Sequence, residues 1–549
     1  MKASDLFVKC LEAEGVERIY GVPGEENADF MMSLQDSSIE FVLTRHEQGA
    51  AFMAEVYGRL TGKVGVCLGT LGPGATNLIT GVADGNMDRA PMLVLTGQGA
   101  LTRQHKESHQ VMNVVEMYKP VTKWSTAINA ASNIPEIVHK AVKLATAEKP
   151  GACHIELAED VAATQTDERP MRAARVRRPV PGDDVIDQVW DRLRSAKTPL
   201  IIAGNGAIRT RASAQLRQFC EATGIGALMT FMGKGALDLE DPRCLFTVGM
   251  GQRDYPQLAI DAADLILTVG FDPVEYGPEK WNSGCGADII HMDFAPAESD
   301  KYYQPSIEVV GDVAHGLSML NARAERDGAP RYDLASQTKL RERMQSEFAE
   351  HAQDRTTGSI RPQKAVADVR AVLGPDDIVL SGVGAHKMWI ARHYQCHAPG
   401  TCLISNGFCS MGMPLPGAIA AKHACPDAKV LAVVGDADVM MNVQEMETAS
   451  RLGSDITVLV WEDKAYGLIA WKQEQEFGEH TDLSFTNPDW MQLCDALDWQ
   501  GQRCDNAEEL QSALQRALDH RGPSMVVIPI DYRENMKLTE RLGKITETF

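Results

Sequence analysis

The chain has 549 residues, 44% of them hydrophobic and 23% charged, with 54 Lys and Arg against 75 Asp and Glu and a formal net charge of -21. That is globular composition. At roughly 100 to 200 residues per domain it predicts about three domains, each with its own core, and it excludes a disulfide miniature, a disordered chain and a fibrous repeat.

The excess of acid, without any dense Lys/Arg stripe among aromatics, argues against nucleic acid or an anionic membrane as partner and for a small-molecule substrate. Twelve cysteines lie scattered from Cys10 to Cys504 with no Cys-x-x-Cys pair and no zinc spacing, which reads as buried thiols in a reducing, cytoplasmic compartment. Leu6, Phe7, Cys10 and Leu11 begin an amphipathic pattern that Glu12 and Glu14 interrupt, so no signal sequence is expected. No run approaches the roughly 18 apolar residues that span a bilayer.

In chain order, short Val/Ile/Leu runs that end in Gly-rich turns and give way to helical periodicity occur at 18–24, 64–74, 92–97, 200–206, 265–270, 378–384, 430–435 and 456–461. Continuous apolar strands alternating with helices predict an α/β fold of parallel sheets covered on both faces. Two polar stretches break the rhythm and read as surface linkers: 166–184, with five Arg and three Pro, and roughly 322–362, charged and weakly apolar. The expected domains are 1–165, 185–325 and 362–549. The first and third set Gly-rich turns at several strand ends, where open α/β sheets bind ligands.

The N-terminal domain offers Gly21-Val22-Pro23-Gly24 after its first strand, Arg45-His46-Glu47 directly before a helix of small residues, and Leu71-Gly72-Pro73-Gly74-Ala75-Thr76-Asn77. Taken alone, Glu47 also reads as a first-turn acid stabilised by the helix dipole. In the C-terminal domain Ser381-Gly382-Val383-Gly384-Ala385-His386 enters a helix whose backbone N–H groups suit a phosphate. Val434-Gly435-Asp436-Ala437-Asp438 ends one strand and Glu462-Asp463-Lys464-Ala465-Tyr466-Gly467 ends the next. Two strand-end carboxylates with a turn carbonyl can converge on a hard divalent cation completed by phosphate oxygens, although Asp436 alone also reads as a helix cap.

The order of these motifs, with Thr96-Gly97-Gln98 and Ser410-Met411-Gly412 between them, resembles the thiamine diphosphate enzymes of the acetohydroxyacid synthase and pyruvate oxidase group. The likeness runs over essentially the whole chain. His109-Gln110, Pro273-Val274-Glu275-Tyr276, Trp281-Asn282-Ser283-Gly284, Trp389-Ile390-Ala391-Arg392 and Ser405-Asn406-Gly407 make it most similar to the FAD-independent, catabolic type of acetolactate synthase.

The resemblance implies pyrimidine-binding, middle and diphosphate-binding domains, in a homodimer or homotetramer whose active sites lie between chains. It implies thiamine diphosphate and Mg²⁺ as cofactors, no required FAD, and a 2-oxoacid substrate. Pyruvate would lose CO₂ and the remaining two-carbon unit would join a second pyruvate as 2-acetolactate. Glu47 matches the glutamate that hydrogen-bonds the aminopyrimidine, and Gln110 the residue that touches substrate. Pro23, Gly24 and Asn77 fall in the cofactor-binding motifs, as do Tyr466, Gly467 and Leu468, with Ile469 beside the thiazolium. Met411 matches the residue that holds the cofactor bent, and the backbone of Cys409 the contact to its amino group. Asp436, Asp463 and the carbonyl of Ala465 match the Mg²⁺ ligands; Val383, Gly384, Ala385, His386, Ala437 and Asp438 match the diphosphate cradle.

Three departures stand out: Asp438 where many relatives carry Gly or Ser, Glu25 and Glu26 where small residues are usual, and Lys472 near a position that is Trp in the anabolic enzymes. The first places an acid beside two phosphates. The second keeps open an aldehyde or neutral ketone as acceptor. The nearest alternative is another thiamine diphosphate-dependent 2-oxoacid decarboxylase or carboligase with a different donor or acceptor, and a pyruvate oxidase-like flavoenzyme is the more distant one.

Overall fold

Strands made of uninterrupted Val, Ile and Leu must be covered on both faces. In the computed structural model, which describes residues 1–173, 177–250 and 254–538, they form three six-stranded sheets whose neighbouring strands run parallel, with helices on both faces. No helix among the described residues is long and apolar enough to cross a membrane.

The first sheet contains β1 (Arg18–Gly21), β2 (Glu40–Leu43), β3 (Gly65–Gly69), β4 (Met92–Gln98), β5 (Trp124–Ile128) and β6 (Ala152–Ala158), ordered β2-β1-β3-β4-β6-β5. The second contains β7 (Pro199–Ala203), β8 (Ala227–Met229), β9 (Cys244–Thr247), β10 (Leu265–Val269), β11 (Asp288–Asp293) and β12 (Ile307–Val310), ordered β12-β11-β10-β7-β8-β9. The third contains β13 (Ile378–Ser381), β14 (Cys402–Ile404), β15 (Val430–Gly435), β16 (Thr457–Glu462), β17 (Gln500–Arg503) and β18 (Ser524–Pro529), ordered β14-β13-β15-β16-β18-β17. The first and third sheets share one winding. The second has the order of a dinucleotide-binding sheet.

One apolar core is common to the first and third sheets: Phe52, Val56 and Leu78 of the N-terminal part pack with Leu380, Leu415 and Ile419 of the C-terminal part. The helices Glu47–Thr61 and Pro414–Ala424 cross there, which holds the N-terminal and C-terminal strand ends in a fixed relation.

The segment from 322 to 362 is more than a linker. Its helix Ala335–Ala349 buries Leu340 and Met344 in the core of the second sheet, and Arg341 bonds the carbonyls of Cys244 and Leu239. The long stems of its polar residues cover apolar surface, which a count of apolar residues misses. Of the other stretch, 166–173 and 177–182 contain no helix or strand; Ala174 to Val176 lie outside the described residues, as do 539–549 of the expected C-terminal domain. All twelve cysteines are unbridged, and Cys285 and Cys409 are exposed rather than buried.

Candidate active site

The C-terminal candidates converge. Strands β13, β15 and β16 are neighbours, so their carboxyl ends meet around a cavity of about 110 Å³. Every C-terminal candidate except Cys409 lines it, from Val383 through Asp436 to Leu468, joined by Ile469 and Tyr532.

Asp436 begins the helix Asp436–Met440, and its carboxylate is fixed by donors: Ala437 N–H to Oδ1 at 2.9 Å, then Asp463 N–H, Lys464 N–H and Asn487 Nδ2 to Oδ2 at 3.2, 2.7 and 2.8 Å. Lys464 takes φ +59, a left-handed turn that few side chains favour. Burial, and then the charge of Asp436, push the Asp463 carboxyl up to about 8. Among the described residues neither carboxylate has a Lys or Arg ion-pair partner. Two buried carboxyl groups, one of which keeps its proton because it is buried and the other is so near, are the donor set of a hard divalent metal site.

Two buried polar atoms face the same cavity without a hydrogen bond: His386 Nε2 and Asp438 Oδ2, 3.5 Å apart. His386 lies in the first turn of the helix Ala385–His393, where free backbone N–H groups gather. His386 Nε2 and the backbone N–H groups are donors that suit a phosphate group, whereas Asp438 Oδ2 is an acceptor that would repel one. Asp438 turns its Oδ1 to the Gly412 N–H at 2.7 Å, while a Cβ on Gly382 would collide with its Oδ2. The carboxylate is therefore partly spent on the Met411–Gly412 turn, where Gly412 takes φ +91.

The segment entering that turn is held by acids from the N-terminal helices. Asp84 accepts from Ser405 Oγ at 2.8 Å and Ser410 N–H at 3.1 Å, and Asp88 from Gly407 N–H at 2.6 Å. Glu55, Asp84 and Asp88 lie close enough to share a metal ion, but the Arg59 guanidinium already pairs with Glu55 at 3.2 Å and Asp88 at 3.1 Å. Burial raises Asp88 to about 6. Cys409 stands outside the cavity, exposed, at φ +61, with Lys387 Nζ 3.2 Å from its sulfur.

The N-terminal candidates form a second group. Glu47 is the first residue of its helix and buried; Asn77 Nδ2 donates to its Oε2 at 2.9 Å. Gly24, in the turn after β1, packs so closely on Thr70 that a Cβ would not fit. Gln110 takes φ +58 and lies against Gly72, itself at φ +52. Pro23 precedes Gly24 in the same turn. None of these residues lines the C-terminal cavity. Within one chain the structure assembles two half-sites.

Sequence reading missed Tyr532, Asn487 and Glu275. The first two follow strands and loops without motif character; burial, then Asp463 and Asp436, keep the Tyr532 hydroxyl protonated. In the sequence Glu275 is only one letter of Pro273-Val274-Glu275-Tyr276, with no role marked by spacing. Its carboxylate accepts the Asn205 N–H at 2.9 Å, after β7, and the Thr230 hydroxyl at 2.5 Å, after β8, and burial raises it to about 8. A larger cavity, about 750 Å³, lies between the helices Tyr255–Asp261 and Ala335–Ala349, and none of the candidate residues lines it.

Three family models match parts of the chain: the thiamine pyrophosphate enzyme N-terminal TPP binding domain at 1–117, the central domain at 186–320 and the C-terminal TPP binding domain at 382–528. The fold and half-sites thus define a thiamine pyrophosphate, or thiamine diphosphate, enzyme. The acetolactate synthase of Bacillus subtilis (strain 168) is 31% identical over 555 residues, covering 100% of this chain and 97% of that protein. The catabolic acetolactate synthase of Raoultella terrigena is 33% identical over 543 residues, 98% and 97% covered. The acetolactate synthase isozyme 2 large subunit of Escherichia coli (strain K12) is 31% identical over 542 residues, 98% and 97% covered. The chain belongs to the acetolactate synthase family of thiamine pyrophosphate enzymes.

Proposed function

We propose that the protein is a thiamine diphosphate-dependent carboligase that converts two molecules of pyruvate into 2-acetolactate and CO₂. The observation that carries this reading is the cavity at the ends of β13, β15 and β16, with its paired carboxylates and unmet phosphate donor, in a chain similar to acetolactate synthases over its full length. When bound, thiamine diphosphate supplies the stabilised carbanion that lets a 2-oxoacid lose CO₂ and form a carbon–carbon bond.

The chain's own residues bind, orient and exclude water. Asp436, Asp463 and the Ala465 carbonyl would hold Mg²⁺, which relieves the repulsion between the two carboxylates. The backbone at Val383–Ala385 and Ala437, with His386 Nε2, would hold the diphosphate. Met411, Leu468 and Ile469 supply apolar walls that keep water from the reacting carbon. Glu47, fixed at Oε2 by Asn77, leaves Oε1 to hold a proton against the aminopyrimidine ring. Gln110 orients the substrate.

The separation of Glu47 from the C-terminal cavity in one chain supports a homodimer or homotetramer in which a second copy completes each site. Twelve unbridged thiols support a reducing, cytoplasmic setting. FAD is not required in this reading: in the second sheet, the N–H after Gly204 that a nucleotide phosphate would use is already taken by Glu275.

A neutral acceptor is the second reading, favoured by Glu25, exposed beyond Gly24, since an anion there repels a second carboxylate. The test is to incubate the protein with thiamine diphosphate, Mg²⁺ and pyruvate, measure CO₂ and acetolactate, and record the visible spectrum. Acetolactate without a flavin band supports the first reading; CO₂ with free aldehyde or another hydroxyketone supports the second.

A further inference from the structure

The carboxylate assigned to the cofactor ring is held from the other end of the chain. Glu445, fully buried at the start of the helix Glu445–Leu452, accepts the Arg45 N–H at 3.2 Å on both oxygens and the His46 N–H at 3.0 Å on Oε1. Thr448 Oγ1 fixes Oε2 at 2.6 Å. These N–H groups directly precede Glu47, at the positive end of a 15-residue helix, where a carboxylate is favoured. On the helix side Gly49 leaves no space: a Cβ there would stand 2.7 Å from Glu445 Oε1. The same C-terminal helix makes further ties, Arg451 to the Leu43 carbonyl at 2.5 Å and Glu447 to the Arg45 guanidinium at 4.0 Å.

We propose that Glu445 is a positioning residue that sets the Glu47 carboxylate, through the backbone of Arg45 and His46, from the domain that carries the diphosphate cradle. This rests on the reading of Glu47 above. The helix Asp436–Met440, which lines the cavity, runs through a short turn into the helix that begins at Glu445. If each site is completed by a second copy, Glu445 joins the acid of one site to the cradle of the other within a single chain.

Three variants test it. E445A removes the acceptor, E445Q keeps an oxygen that can accept both N–H groups, and G49A pushes on the carboxylate from the opposite side in a helix that otherwise welcomes Ala. In the cofactor-free protein, hydrogen exchange of the segment 43–49 should quicken in E445A and G49A and stay protected in E445Q. With thiamine diphosphate, Mg²⁺ and pyruvate, kcat should fall roughly tenfold to a hundredfold in E445A and G49A, as expected for a misplaced catalytic group. KM for pyruvate and cofactor affinity should hold, and E445Q should recover most of the rate. Unchanged exchange and kcat in both E445A and G49A would overturn the proposal, as would an E445Q no better than E445A. E47Q run alongside separates the failures: if E47Q keeps full turnover, the reading of Glu47 falls, whereas a dead E47Q beside an active E445A and G49A removes only the role of Glu445.

Discussion

Glu275 offers a test of the electrostatics that needs no cofactor. Burial lifts its carboxyl from an ordinary 4.5 to about 8 in the fold, so the folded chain keeps a proton there that the unfolded chain releases. A raised folded-state value means that the group's contribution is whole below about pH 4.5 and is lost as pH rises towards 8. A window of roughly 3.5 pH units, at about 1.36 kcal/mol each, sets a ceiling near 5 kcal/mol. Glu275→Gln keeps the shape and an oxygen for the Asn205 N–H and Thr230 hydroxyl but cannot ionise. Hydrogen exchange in β7 and β8, whose carboxyl ends lead into Asn205 and Thr230, gives local stability at pH 5 and pH 8. The variant should match or trail the wild type at pH 5 and exceed it at pH 8. Parallel pH profiles, within about 1 kcal/mol of each other, would refute the argument.

Other expectations follow from single contacts. Arg392, fully buried, donates to Glu347 at 2.5 and 2.9 Å and to Asp254 at 2.5 Å; R392M takes the guanidinium away from two buried carboxylates and should cost about 3–5 kcal/mol in urea unfolding at pH 7. Against its burial, Arg392 holds Glu347 below the usual carboxylate range. That stability is present at neutral pH and lost in acid as Glu347 takes its proton, so the deficit of R392M should shrink as pH falls; a constant deficit contradicts the assignment. E47Q should lower kcat by about 10²–10⁴-fold while thermal stability and cofactor affinity, read by calorimetry, persist. A chelator should abolish cofactor binding and Mg²⁺ restore it, and D436N should weaken the Mg²⁺ requirement curve by more than about tenfold.

The sequence announced strands whose apolar run is followed by a Gly-rich turn, such as Val430–Gly435, but not Ser524–Pro529, an equally apolar run that ends in Pro529 with no such turn after it. It did not announce β6, although all its residues are buried: His154 and Glu156 interrupt the apolar run, and only the fold supplies Thr96 Oγ1 at 2.8 Å and Gln98 Nε2 at 2.9 Å to satisfy them. Edge strands such as Gln500–Arg503 are polar and equally silent. In the site, residues carried by a local turn were legible, because a Gly-rich turn after a strand is written in consecutive letters. Asn487, Tyr532 and Glu445 act across 51, 96 and 400 positions of chain, from Asp436 to Asn487, Asp436 to Tyr532 and Arg45 to Glu445, and no local spacing encodes such a meeting.

Gln110, Cys409 and Lys464 all adopt left-handed backbone without being glycine, one in each of the turns around the two half-sites. That gives the mutagenist an unusual separation of variables. At such a position Gly deletes the side chain while easing the backbone, whereas Ala deletes it and keeps the strain. At Lys464 the N–H that steadies Asp436 survives either change, so a difference between the Gly and Ala variants measures what the bent turn itself contributes, apart from the amine.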